Sequence, residues 1–143
     1  MKDPSGELLT GLYGLLNGNV TYNSETIPVY TRVVEYEDLT AEHYIQIGQV
    51  SLDEDGPKDG YASRGQVEIY VDTFFTGRGE GSQVPMNNIS SQVGQLLDVP
   101  LDLTSFEVVV GRVSNMDSFE YELDDQGTVF RKLITYSFLI EEL

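Results

Sequence analysis

The sequence contains no cysteine, no tryptophan and a single histidine, His43. Without cysteine, disulfides, thiolate metal sites and thiol catalysis are excluded, while the redox compartment is left open. Basic residues are scarce: 8 Lys and Arg stand against 24 Asp and Glu, a net charge of −16 over 143 residues. Such a surface repels phosphate backbones, which argues against a nucleic-acid grip built on counterion release. Solubility is one sufficient reason for the charge; a surface that DNA passes without sticking is another. No apolar run approaches the roughly 20 residues that span a bilayer. The opening Met1-Lys2-Asp3-Pro4-Ser5-Gly6-Glu7 lacks the apolar segment of a signal peptide, so neither export nor a membrane partner is expected.

What is present suits one globular domain spanning 1–143. Hydrophobic residues make up 40% of the chain, too many for a disordered polymer. Leu8, Leu9, Leu12, Leu15 and Leu16, with Tyr13 beside them, form a helical stripe. Asp3 or Ser5 can cap its start, and Gly18 within Asn17-Gly18-Asn19 can end it in the left-handed conformation. Gly11 and Gly14 weaken this helix and leave room for another backbone to approach.

From Val20 the period becomes strand-like. Residues 27–34 (Ile-Pro-Val-Tyr-Thr-Arg-Val-Val) and 44–50 (Tyr-Ile-Gln-Ile-Gly-Gln-Val) are strand candidates. In a third, Val67, Ile69 and Val71 alternate with Gln66, Glu68, Tyr70 and Asp72, which predicts one buried face and one face that is wet or open to a partner. A second amphipathic helix carries Met86, Ile89, Val93, Leu96 and Leu97, with Ser82 as N-cap, Pro85 in the first turn and Pro100 as stop. Phe106–Val113 is nearly continuous in apolar residues and is expected mid-sheet. Val129–Ile140 places Phe130, Ile134, Tyr136, Phe138 and Ile140 on one face. An acidic hairpin tip, 117–127, joins these last two strands, with Asp124-Asp125-Gln126-Gly127 as its turn and some of Phe119, Tyr121 and Leu123 open to extending the strands into it. The order α-β-β-β-α-β-β predicts an α+β fold: an antiparallel or mixed sheet of about five strands with two helices packed on one face.

Motifs that carry chemistry are few. His43 has no Ser- or Cys-centred partner motif and reads as an ordinary strand or surface histidine. Gly77-Arg78-Gly79-Glu80-Gly81 resembles half a phosphate cradle, but it has neither the Walker lysine nor the G-x-G-x-x-G spacing. A flexible connection or a subunit contact is the better reading. Asp53, Glu54, Asp55 and Asp59 gather carboxylates, yet Gly56 arrives too early for a calcium loop and Arg64 stands where the closing glutamate belongs. Asp117, Glu120, Glu122, Asp124 and Asp125 have no ligand-loop spacing either. No metal or cofactor is expected, and the chain reads as a non-enzyme.

Taken together, several segments resemble the tail-terminator (tail-completion) proteins of long-tailed phages. They are the leucine-striped helix, Ile27-Pro28-Val29-Tyr30, Tyr44-Ile45-Gln46-Ile47-Gly48, and Gly65-Gln66-Val67-Glu68-Ile69-Tyr70-Val71-Asp72-Thr73. A Gly/Glu-containing connection follows, into a helix ending near Leu96-Leu97-Asp98. The order covers nearly the whole chain, although the tryptophan that many relatives carry near the third strand is missing. The resemblance implies a virion protein of the tail or neck, made in the host cytoplasm, that assembles with itself into a ring, usually of six copies. Such a ring caps the tail tube, meets the neck or connector proteins, and lets DNA pass without specific binding. Under this reading Asp53, Glu54, Asp55, Asp59, Asp117, Glu120, Glu122, Asp124 and Asp125 are candidate channel-facing acids. Gly77, Arg78, Gly79, Glu80, Arg64, Glu68 and Tyr70 are candidate subunit contacts. Another neck or head-tail connector protein of similar fold, or an acidic DNA-mimic adaptor or inhibitor, are the alternatives.

Overall fold

The computed structural model describes residues 2–32, 42–53, 62–75, 82–123 and 127–143. Helix α1 (Ser5–Leu16) is followed by β1 (Thr21–Tyr22), β2 (Glu25–Thr26), β3 (Val29–Tyr30), β4 (His43–Leu52) and β5 (Ala62–Phe75). Helix α2 (Val84–Leu97) leads into β6 (Phe106–Leu123) and β7 (Gly127–Glu142). Five strands form one mixed sheet in the order β3-β4-β5-β7-β6, with β3 parallel to β4 and the other pairs antiparallel. The expected α+β architecture is present.

Local signals account for the helices. Asp3 accepts the Ser5 backbone N–H at 2.9 Å and Ser82 Oγ accepts that of Val84 at 3.0 Å, each satisfying a donor that a helix start leaves free. Pro85 occupies the first turn of α2, where a missing N–H costs nothing. Gly18 ends α1 at φ +82°, a conformation L side chains rarely adopt. Of the two helix glycines, Gly11 meets a side chain and not a backbone, with Leu103 Cδ2 3.0 Å from where a Cβ would sit; Gly14 faces open space.

Both helices cover the same sheet face. Leu8, Leu12 and Leu16 of α1 and Ile89, Val93 and Leu97 of α2 join one core with Ile45, Ile47, Val67, Ile69, Val71, Ile134, Tyr136, Phe138 and Ile140. The strand members are the alternate residues that cross-strand register brings to one side: Val67 opposite Tyr136, Ile69 opposite Ile134 and Ile47. Burying these side chains is the main favourable term in the fold.

Three expectations need correction. Phe106–Val113 is not mid-sheet but belongs to the edge strand β6, which pairs only with β7 in the sheet. Its apolar run is divided by a register shift between Val108 and Val110, so Val109 and Val110 are 47% and 48% exposed instead of enclosed on two faces. The acidic tip is also smaller than expected, because β6 runs on to Leu123 and β7 starts at Gly127. Finally, the first strand of the sheet is short within the described residues. Ahead of it the chain makes a separate hairpin, β1–β2, whose turn residues Asn23 and Ser24 both have positive φ, 51° and 66°. Gln92 of α2 clamps this hairpin by accepting from Thr21 N–H at 3.1 Å and donating to Thr21 C=O at 2.7 Å.

Candidate functional site

The sheet face opposite the helices holds a connected network of charged and aromatic side chains. Here β5 presents Arg64, Gln66, Glu68, Tyr70 and Asp72, the polar half of the alternation around Val67, Ile69 and Val71. Asp72 is nonetheless fully buried, and Arg131 of β7, directly opposite it, closes a bidentate pair: Nε to Oδ1 and Nη2 to Oδ2, both 2.8 Å. Two parallel charge-assisted hydrogen bonds of this length are the strong form of the interaction. The same guanidinium lies 4.6 Å from the Tyr70 ring centroid and 5.8 Å from that of Tyr121, which stacks on Phe119. Tyr70 in turn donates its hydroxyl to Glu68 Oε2 at 2.7 Å. Six side chains from three strands are thereby held in one arrangement.

The hydrogen bond to Glu68, aided by burial, pushes the Tyr70 phenol up to about 12. The folded state therefore keeps this proton more tightly than the unfolded chain does. Its contribution to stability is complete below about pH 10 and is lost as pH rises toward the folded value. Denaturation midpoints of the native protein and Tyr70→Phe should accordingly differ near pH 8 and converge as pH rises from about 10 toward 12. A gap that stays constant across that range would show that Glu68 does not hold the phenol.

Two shallow grooves adjoin this network. One, of about 420 Å³, is lined by Arg32, Gln46, Gly48, Ser51, Gln66, Glu68 and Tyr70 among others. Gly48 sits where the β4–β5 register shifts, and a Cβ there would lie 2.9 Å from the Glu68 carbonyl oxygen. The aliphatic-Gly ending of that strand thus has a steric reason. The other groove, of about 290 Å³, is lined by Arg64, Val110, Arg112, Ser137, Phe138 and Leu139. Four arginines, Arg32, Arg64, Arg112 and Arg131, therefore collect on this one face of an acidic protein. Among the described residues Arg131 is the one of these four with an ion pair, and no hydrogen bond or ion pair holds the guanidinium of Arg32, Arg64 or Arg112.

The residues singled out from the sequence are distributed as follows. Arg64, Glu68 and Tyr70 share the open face. Asp53 is exposed just beyond β4, where its N–H donates to the Arg64 carbonyl at 2.7 Å. Asp117, Glu120 and Glu122 are all exposed on β6, but the pleat divides them: Asp117 pairs with Leu133 on the open face, whereas Glu120 and Glu122 pair with Phe130 and Thr128 on the other. Glu54, Asp55, Asp59, Gly77, Arg78, Gly79, Glu80, Asp124 and Asp125 lie outside the described residues. No group of three or more potential metal ligands is gathered among the described residues. His43 is half-buried, with Nδ1 3.2 Å from Thr73 Oγ1 and its ring edge-on to Tyr22 at 5.2 Å; burial holds its pKa below the usual histidine value. These are the contacts of a histidine built into the fold.

Sequence reasoning missed Asp72, Arg131, Arg32 and Arg112. Asp72 and Arg131 occupy polar positions of alternating strands, so each alone reads as a solvated residue. Only the β5–β7 register makes them a pair.

Interlocked polar and aromatic side chains beside two shallow grooves make this open sheet face of the α+β domain the candidate site. No family model matches the sequence, and no curated protein does. Among solved structures, a chain of the virion of a native gene transfer agent (GTA) particle has the same fold, with a TM-score of 0.70 over 95% of this chain and 96% of that chain, at 17% sequence identity.

Proposed function

We propose that this chain is a virion structural protein of a tailed phage, and specifically a tail terminator. In that role it closes into a ring, six copies in the usual arrangement, that caps the tail tube and meets the neck or connector proteins. The observation that carries the reading is the fold shared along almost the full length of both chains with a component of a virion particle. It is joined by the resemblance of the helix and strand segments to tail-terminator proteins. A structural role is favoured over an enzymatic one because Asp72, Arg131 and Glu68 are engaged within the network and the adjoining grooves are shallow.

Under this reading the acidic residues at the β6–β7 end, Glu120 and Glu122 with Asp124 and Asp125, face the lumen, with the acids of 53–59 as a second set. Like charge along a channel keeps DNA from adhering. A DNA mimic would instead need carboxylates spread over a continuous face, and the arginines of the open sheet face oppose that alternative.

The test is the absolute mass of the purified protein across a concentration series, by light scattering coupled to size exclusion. The expected result is a closed species of about six 16.0 kDa subunits, formed by the protein alone or after seeding with purified tail tubes. Mixed with duplex DNA at physiological salt, these rings are expected not to retain it. A monomer under every condition, seeded or not, would overturn the ring, and DNA retention would overturn the acidic lumen.

A further inference from the structure

We propose that the row Arg32, Arg64 and Arg112 on the open sheet face is the receiving half of a head-to-tail contact with a second copy of this chain, whose exposed carboxylates it takes. The inference rests on the self-assembly reading above and names the surface that reading requires.

The argument begins with charge. Each copy carries −16, so two copies repel over most of their surfaces, and a contact must place basic groups where they meet. Six of the eight basic residues are described, and four of these share the open face. Arg131 is already held by Asp72, which leaves Arg32, Arg64 and Arg112. In a chain with three acids for every base, a guanidinium that reaches no carboxylate of its own is available to one from outside. The three line adjoining grooves that run across the sheet from β4 to β6. Glu68, the one carboxylate lining those grooves, accepts the Tyr70 hydroxyl.

The neighbourhood suits a protein partner. Val110, nearly half exposed, and Leu139 flank the two arginines of the smaller groove, with Ser137 between them. Beside them the outer edge of β6, along most of its length, has no neighbouring strand among the described residues, and it exposes Val109, Phe119 and Tyr121. Arginine fringed by aliphatic and aromatic groups is the composition of interface centres.

Symmetry then follows from the same charges. A two-fold contact centred on this row would set arginine against arginine. The favourable alternative sets it against a different, acidic surface of the next copy, and such heterologous contacts close into rings when the rotation permits. The other side of the domain supplies candidates: Asp98 and Asp102, after α2, are exposed. Arg64 and Arg112 are themselves exposed, so charge reversal there leaves the core intact.

The experiment compares the native protein with the Arg64→Glu, Arg112→Glu double variant by mass against concentration, circular dichroism and melting. The double variant is expected to keep its spectrum and melting temperature while its association weakens by about 100-fold or more. Arg64→Lys, Arg112→Lys, which retains the charge, is expected to assemble with a smaller loss. If native rings form and the double reversal leaves their mass unchanged, this surface is not the contact, while the ring reading stands. If the native protein fails to assemble even on tail tubes, the ring reading falls and the arginine face loses this occupant. A native monomer that binds a short DNA duplex through Arg64 and Arg112 would assign the face to a polyanion and overturn the proposal.

Discussion

Replacing Arg131 with methionine is expected to lower the unfolding free energy by about 3–5 kcal/mol, a large part of the ~5–15 kcal/mol that holds a domain folded. The reason lies in the asymmetry of the pair. Arg131 is a quarter exposed along its side chain, but Asp72 is completely enclosed. Removing the guanidinium therefore strands a buried carboxylate that loses two 2.8 Å hydrogen bonds at once. It also empties the position between the Tyr70 and Tyr121 rings, so the aromatic side of the network loosens together with the ionic side. Equilibrium denaturation in urea, read at constant m-value, is the measurement. The double variant Asp72→Leu, Arg131→Met removes both charges and is expected to fall closer to the native protein than the single variant does. A loss below about 1 kcal/mol for the single variant would mean that the pair behaves as a solvated surface contact.

The second large effect is expected at Leu12→Ala, a loss of about 2–5 kcal/mol. Leu8, Leu12 and Leu16 are all fully buried at one-turn intervals, and Leu12 is the middle of the three. Its neighbours on either side are fixed by the same packing, so the space left by the truncation cannot close easily, and the cost includes the cavity as well as the lost transfer term. Leu9→Ala, on the half-buried flank of the same helix, serves as the internal comparison and is expected to cost clearly less. Equal losses at the two positions would show that α1 is held by its whole apolar side and not by the stripe that faces the sheet.

These two experiments probe opposite sides of one sheet. The helix side is a conventional apolar core, and its disruption unfolds the domain. On the open side, Asp72, Arg131, Tyr70 and Glu68 form a rigid polar base beneath exposed arginines, a division suited to a subunit that must keep its shape while neighbours press on it. Destabilisation at Arg131 and loss of assembly at Arg64 and Arg112 are therefore expected to separate in the same assays.

The sequence alone determined the elements. The leucine spacing of 5–16, the Met86-Ile89-Val93-Leu97 stripe, the alternation of Val67, Ile69 and Val71, and the stops at Gly18 and Pro100 are all local. Helix and strand periods are written within a dozen residues, and so is the choice of which face of each element is apolar. The same local signals indicated an α+β domain and the open polar face of β5. Strand order was decided elsewhere. Phe106–Val113 reads as a central strand because it is apolar, and it lies at the edge because β7 pairs with β5 along 14 residues and leaves β6 outside. Nor could the sequence separate the arginines: nothing local distinguishes Arg131, with its buried partner 59 positions away, from Arg64 and Arg112, which have none among the described residues. Which charges neutralise one another depends on the register between strands distant in the chain. That register is fixed only when the apolar faces of the whole sheet are buried together, since a slip of one residue would turn each strand's core side chains toward water.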